Sequence, residues 1–120
     1  MTSVLVVDDD KLLREMTARM LEHVGYRAVV ASSGADAIAV IKARPGIDVA
    51  LIDVVLPDMS GFDLARELRR ISAGAHIAFM SGFTTDDFRH PVSEPCVTKP
   101  FTIDMLANVV EAALGRSAPD

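Results

Sequence analysis

The sequence has a single cysteine, Cys96, so no internal disulfide can form, and no other residue stands at metal-ligand spacing from it. Long hydrophobic runs are also missing. The apolar stretches, such as Val4 to Val7, stop far short of the ~20 residues that span a bilayer. The opening residues, Met1 to Asp8, lack the basic start and longer apolar core of a signal peptide. A cytoplasmic location without membrane association is expected. An excess of positive charge is absent as well: the formal net charge is −5, whereas direct nucleic-acid binding usually shows a basic patch. Arg66, Arg69 and Arg70 share one helical stretch, but Glu67 and nearby acids dilute them, and they read as a solvated face. No repeat, linker or low-complexity segment interrupts the chain. With half of its 120 residues hydrophobic, it is expected to be one globular domain with a core spanning about residues 3 to 114 and a frayed tail at 115 to 120.

Strand-like and helix-like patterns alternate along the chain. Val4-Leu5-Val6-Val7 is a continuous apolar run of the kind found in strands covered on both faces, and it ends in Asp8-Asp9-Asp10. A helical pattern follows, with Leu13, Met16, Met20 and Val24 as its inward stripe, Asp10 as its cap and Gly25 as its stop. Ala28 to Ala31 reads as a second strand. Ser33 caps a helix through about Arg44, with Ala37, Ile38 and Ile41 inward. Asp48 to Asp53 is the third strand, followed by the turn residues Pro57 and Gly61 and a helix with Leu64, Ala65, Leu68 and Ile71 inward. Ile77 to Met80 is the fourth strand, ending in Ser81-Gly82. In the stretch from Phe83 to Pro95, Thr84 or Thr85 could cap only a turn or two through Phe88 to His90 before Pro91 and Pro95. Cys96-Val97-Thr98 is a short fifth strand, and a last helix begins near Thr102 with Ile103, Leu106, Val110 and Leu114 inward.

Alternation of this kind predicts an α/β fold, a parallel sheet with helices on both faces. All strands then point their C-terminal ends to one edge, where ligands of such sheets bind. Four ends meet there: Asp8-Asp9, Asp53, Ser81 and Lys99. Crowded carboxylates repel one another unless a cation lies among them. Hard oxygen ligands at a partly open site suit Mg²⁺, with Mn²⁺ as the alternative. A lysine ammonium and a serine hydroxyl suit an incoming phosphoryl group, the first by countercharge and the second by a hydrogen bond. Metal, carboxylate nucleophile and cation together are parts for phosphoryl transfer onto aspartate.

These residues carry a resemblance. Val6-Val7-Asp8-Asp9, then Leu51-Ile52-Asp53-Val54-Val55-Leu56-Pro57-Asp58-Met59-Ser60-Gly61, then Met80-Ser81-Gly82, then Thr98-Lys99-Pro100-Phe101 resemble the receiver domain of two-component response regulators. The resemblance implies a flavodoxin-like, doubly wound five-stranded sheet of order 2-1-3-4-5. It implies that Asp53 is the phosphoacceptor, attacking a phosphohistidine on a histidine kinase or histidine phosphotransfer protein. Asp9 and Asp53 would hold Mg²⁺ directly, Asp8 would help through water, and the Val55 backbone carbonyl would supply a further ligand. Ser81 would sense the phosphoryl group, Lys99 would be its countercharge, and the Lys99–Pro100 bond would be cis. Such a domain is a switch rather than an enzyme, assisting its own Mg²⁺-dependent phosphotransfer and dephosphorylation and signalling to a downstream protein.

The sequence departs from the family pattern at two points. A tyrosine or phenylalanine usually stands three residues before the lysine, where this chain has Cys96. The span from Ser81 to Lys99 is also several residues shorter than usual, so the fourth helix is expected to be short or missing. With the usual ring absent, the expected relay is a repacking of Phe83 or Phe88 in the segment Phe83 to Pro95, and Cys96 is expected to be a buried structural thiol. Phe79-Met80-Ser81-Gly82-Phe83 loosely resembles a Phe-Ala-Thr-Gly-Tyr variant of single-domain receivers, although a module of a hybrid histidine kinase is an equal reading. An aspartate-nucleophile phosphohydrolase would want a second acid two residues past the nucleophile, where Val55 stands. A phosphorylation-independent interaction domain would be favoured by loss of Asp9, Asp53 or Lys99, all of which are present. A flavodoxin-type carrier would want a phosphate loop after the first strand, where three acids would repel the phosphate. His23, His76 and His90 read as surface or satisfied histidines, and Met16, Met20, Met80 and Met105 as core filler.

Overall fold

In a computed structural model the described residues are 1–82 and 93–115. The first strand, β1 (Ser3–Val7), enters helix α1 (Lys11–His23) through Asp10, whose carboxylate accepts the Leu13 amide at 3.1 Å. β2 (Arg27–Ala31) leads to α2 (Gly34–Ala43), capped by Ser33, and β3 (Val49–Asp53) to α3 (Gly61–Ile71), capped by Ser60. β4 (His76–Ser81), β5 (Cys96–Thr98) and α4 (Ile103–Ala113), capped by Thr102, complete the described chain. The five strands form one parallel sheet in the order β2-β1-β3-β4-β5, the flavodoxin-like arrangement. The expected stunting of a helix between β4 and β5, and the proposed repacking of Phe83 or Phe88, fall on residues 83–92. Those residues, like the tail 116–120, lie outside the described residues.

The alternating faces of the sheet feed two cores. Leu5, Val7, Ala50, Ile52, Ile77 and Phe79 pack beneath α2 and α3 with Ala37, Ile41, Leu64 and Leu68. Val4, Val6, Val49, Leu51, Ala78 and Met80 pack beneath α1 and α4 with Leu21, Leu106 and Val110. Each large side chain so buried contributes about 2 kcal/mol of transfer free energy. Coverage on both faces is why the central strands are continuous apolar runs rather than alternating ones.

Three expectations about packing are corrected. On α1 the buried residues are Thr17 and Leu21, while Leu13, Met16 and Val24 are exposed, so the helix is rotated from the stripe that hydropathy suggests. Met80 is buried and Met20 is packed at the core's margin, but Met16 and Met105 face solvent and are not filler. Cys96 is exposed, because β5 turns Val97 toward α4 and the residues on either side of it away. Its thiol donates to the Glu94 carbonyl at 3.4 Å, and partial burial followed by the nearby Glu94 charge raises its pKa, which keeps it out of the reactive thiolate form.

Gly61 is a helix residue rather than a turn. A Cβ there would lie 2.3 Å from the Asp53 carbonyl oxygen and 2.8 Å from the Val54 Cα, both backbone atoms that cannot swing aside. Gly61→Ala is therefore expected to cost about 2 kcal/mol. Gly46→Ala, where a Cβ meets nothing within 4 Å, should change stability by less than about 0.5 kcal/mol. Urea denaturation of the two variants checks the contrast, and equal effects would refute the close approach.

Candidate functional site

The C-terminal edge of the sheet gathers the site. Val7 pairs with Ile52, so the next residues of the two strands, Asp8 and Asp53, emerge side by side at the centre of the sheet. Asp8 and Asp53 are both buried, and Asp9 is exposed at the rim. Each of the three acids offers an oxygen within 4.8 Å of the others. Backbone bonds hold the cluster from below: the Asp8 amide donates to the Ala31 carbonyl at 3.1 Å, and the Val54 amide donates to that of Met80 at 3.0 Å.

Lys99 comes from the end of β5 and reaches both inner carboxylates. Its ammonium donates to Asp53 Oδ2 at 2.6 Å and to Asp8 Oδ2 at 2.8 Å. The Lys99 amide donates to the Ser81 carbonyl at 2.7 Å, which ties the lysine to the end of β4. Ser81 is buried, and its hydroxyl donates to the Gly82 carbonyl at 3.2 Å. The Lys99–Pro100 peptide is cis. Val55 is 61 % exposed, and its amide donates to Asp53 Oδ1 at 3.0 Å, which orients the carboxylate. The structure thus brings Asp8, Asp9, Asp53 and Lys99 together, with Ser81 and Val55 at their borders. His23 and His76 are exposed, and His76 opens β4 at the opposite edge of the sheet.

The electrostatics are those of a buried charge cluster. Burial lifts the Asp53 carboxyl above its ordinary value, against the lowering effects of the Lys99 hydrogen bond and the Val55 amide. For Lys99 burial acts in the opposite sense, but the bonds to Asp53 and Asp8 outweigh it and raise the ammonium's pKa. The lysine is thus held charged, while the net effect on Asp53 disfavours its ionised form relative to a free carboxyl. Hard oxygen donors converging at a site open on the Asp9 side fit a small divalent cation such as Mg²⁺.

Sequence reasoning misses several contributors. Arg14 on α1 donates to the Asp8 carbonyl at 2.9 Å, a contact that no local pattern announces. Ser60 caps α3 by accepting the Asp63 amide at 3.0 Å, and the Ser60-x-x-Asp63 spacing is the signal that could have found it. Arg66 and Arg70 pair with Asp63 and Glu67 on their own helix as solvated charges, whereas Arg69 reaches Glu94 ahead of β5.

Comparison with known proteins shows the family of the chain. A family model described as the response regulator receiver domain matches residues 4–111. The chain is 34 % identical over 119 residues to the probable transcriptional regulatory protein TcrX of Mycobacterium tuberculosis, covering 96 % of this chain and 50 % of TcrX. It is 30 % identical over 118 residues to the response regulator receiver protein CpdR of Brucella abortus, covering 95 % of this chain and 98 % of CpdR. A receiver domain structure from Methylobacillus flagellatus, described as CheY-like, superposes with a TM-score of 0.85 at 29 % identity, covering 94 % of this chain and 98 % of that one. The chain spans half the length of TcrX and nearly all of CpdR.

Proposed function

The chain belongs to the response regulator receiver domain family of two-component signalling, and from that membership we propose that it is a phosphorylation-dependent switch acting through Asp53. The phosphoryl donor is a phosphohistidine on a histidine kinase or histidine phosphotransfer protein. An Asp53 oxygen bonds to phosphorus as the phosphorus–nitrogen bond to the histidine breaks, leaving an aspartyl phosphate and a free imidazole. The observation that carries this reading is the Lys99 ammonium 2.6 Å from the Asp53 carboxylate, inside a cluster with Asp8 and Asp9.

Asp9 and Asp53 are the direct metal ligands in this reading, with Asp8 acting through water and the Val55 carbonyl as a further ligand. The exposure of Asp9 supports that division, because a hydrated cation approaches from its side, while Asp8 lies deeper and is engaged by Lys99. Mg²⁺, when bound, supplies charge neutralisation for the transferring phosphoryl group. Lys99 neutralises the product, and the Ser81 hydroxyl exchanges its Gly82 carbonyl for a phosphoryl oxygen. The same machinery assists hydrolysis of the aspartyl phosphate. The signal passes to a downstream protein by contact rather than to nucleic acid directly.

Incubation with Mg²⁺ and acetyl phosphate tests this reading. One acid-stable, base-labile phosphoryl group is expected, mapping to Asp53 by peptide mass spectrometry and absent in EDTA. Labelling on another residue, or labelling indifferent to EDTA, would reject it.

A further inference from the structure

The loop from β3 to α3 is fastened to a neighbouring helix by a residue that takes no part in the cluster. The two carboxylate oxygens of Asp58 accept the Gly34 and Ala35 amides, each at 2.9 Å. The first turn of a helix leaves its amides without intrahelical partners. In α2 the Asp36 amide is taken by Ser33 Oγ at 3.1 Å and the Ala37 amide by the Ser33 carbonyl at 3.0 Å. The two amides before them are taken from across the fold by Asp58. A carboxylate at a helix N-terminus gains from both the charge-assisted bonds and the helix dipole. The same amides, Ala35 more than Gly34, hold the Asp58 carboxyl below its ordinary 3.8.

A second contact lies beside the first. A Cβ on Gly34 would fall 2.5 Å from Met59 Sδ, so the glycine leaves the slot that Met59 fills. Asp58 and Met59 therefore dock the loop onto α2 at two adjacent points. Elsewhere the loop closes on itself and on Asp53. Val55 bridges to Ser60, the Gly61 amide donates to the Val54 carbonyl at 2.9 Å, and the Val55 amide holds Asp53 Oδ1. The position of Val55 thus depends on how the loop closes, and Asp58 stands between that closure and α2.

We propose that Asp58 is a positioning residue: by clamping the loop to α2 it fixes Val55, and through the Val55 amide the Asp53 carboxylate, and so sets the site's affinity for a divalent cation. The proposal rests on the reading of Asp53 and its neighbours as a phosphoacceptor site.

The control is Ser33→Ala, which removes a cap bond from the same helix end without releasing the loop. Isothermal titration with Mg²⁺ and thermal unfolding in EDTA are measured for each protein. Asp58→Ala is expected to weaken Mg²⁺ binding about tenfold, the low end of the range seen when outer-shell partners are removed, and Asp58→Asn, which keeps one acceptor oxygen, by a measurable but smaller factor. Ser33→Ala should lower the melting temperature while keeping wild-type affinity. Wild-type affinity in both Asp58 variants, or an equal loss in Ser33→Ala, would overturn the clamp. Should Asp58→Ala fail to fold, Asp58→Asn decides alone. A wild-type chain that takes no phosphoryl group at Asp53 overturns the underlying reading and the clamp with it, whereas normal wild-type labelling with unchanged Asp58 variants overturns the clamp alone.

Discussion

Asp53→Asn is expected to abolish phosphoryl incorporation from acetyl phosphate while leaving the sheet intact. The amide nitrogen or oxygen of asparagine cannot form a stable acyl phosphate, and neither neighbouring acid can take over. Asp8 is buried beneath Lys99, and Asp9 is exposed at the rim, away from the lysine's two bonds. The replacement is isosteric, so the amide oxygen can still accept the Val55 amide, and the β3–β4 pairing is untouched. Removing the charge also removes the desolvation cost of holding an ionised carboxylate in this buried position, which offsets the weaker contact with Lys99. The melting temperature in EDTA should therefore stay within about 4 °C of wild type, the shift that about 1 kcal/mol produces in a domain of this size. Intact-mass spectrometry reads the labelling, and undiminished stoichiometry in the variant would reassign the nucleophile.

The second large effect is expected at Lys99. Lys99→Met keeps most of the stem and removes the ammonium, leaving Asp8 and Asp53 facing each other with side chains only 1 % and 10 % exposed. Taking one partner from a buried charge group leaves the other charges uncompensated and typically costs about 3 kcal/mol or more. In EDTA the variant should melt about 10 °C below wild type. Saturating Mg²⁺ should close most of that gap, because the cation enters among the same oxygens. Adding Asp53→Asn to Lys99→Met should close it as well, by removing one of the two repelling charges. A gap of equal size with and without Mg²⁺ would mean that the lysine acts through its packed stem rather than through its charge.

The strands are legible in the sequence because a parallel sheet covered on both faces asks for continuous apolar runs, and Val4 to Val7 and Val49 to Ile52 supply them. Once the strands have ends and one direction, Asp8, Asp53, Ser81 and Lys99 fall on one edge without further information. The face of α1 is not legible in the same way. Apolar residues occur around most of that helix, and hydropathy ranks Leu13 and Met16 above Thr17, although the sheet receives Thr17 and Leu21. Cys96 is misjudged for a related reason: an edge strand of three residues buries whichever side its covering helix meets, and α4 meets Val97. Contacts between distant segments, such as Asp58 with the start of α2 or Arg14 with the Asp8 carbonyl, leave no periodic trace. They depend on two elements already being packed.

The sheet also has a mechanical gradient. β3 is paired along its length on both sides, to β1 and to β4, whereas among the described residues β5 is paired on one side through Cys96, Val97 and Thr98 alone. Asp53 thus stands on the most fully paired strand of the sheet, and Lys99 follows the one held by the fewest pairs among the described residues. Were the group on Asp53 to grow from a carboxylate to an acyl phosphate, as proposed, the added length would have to be absorbed by one of the two. In the proposed switch the give is expected at β5, so the recoil would travel outward to the edge of the sheet while the anvil beneath Asp53 stays still.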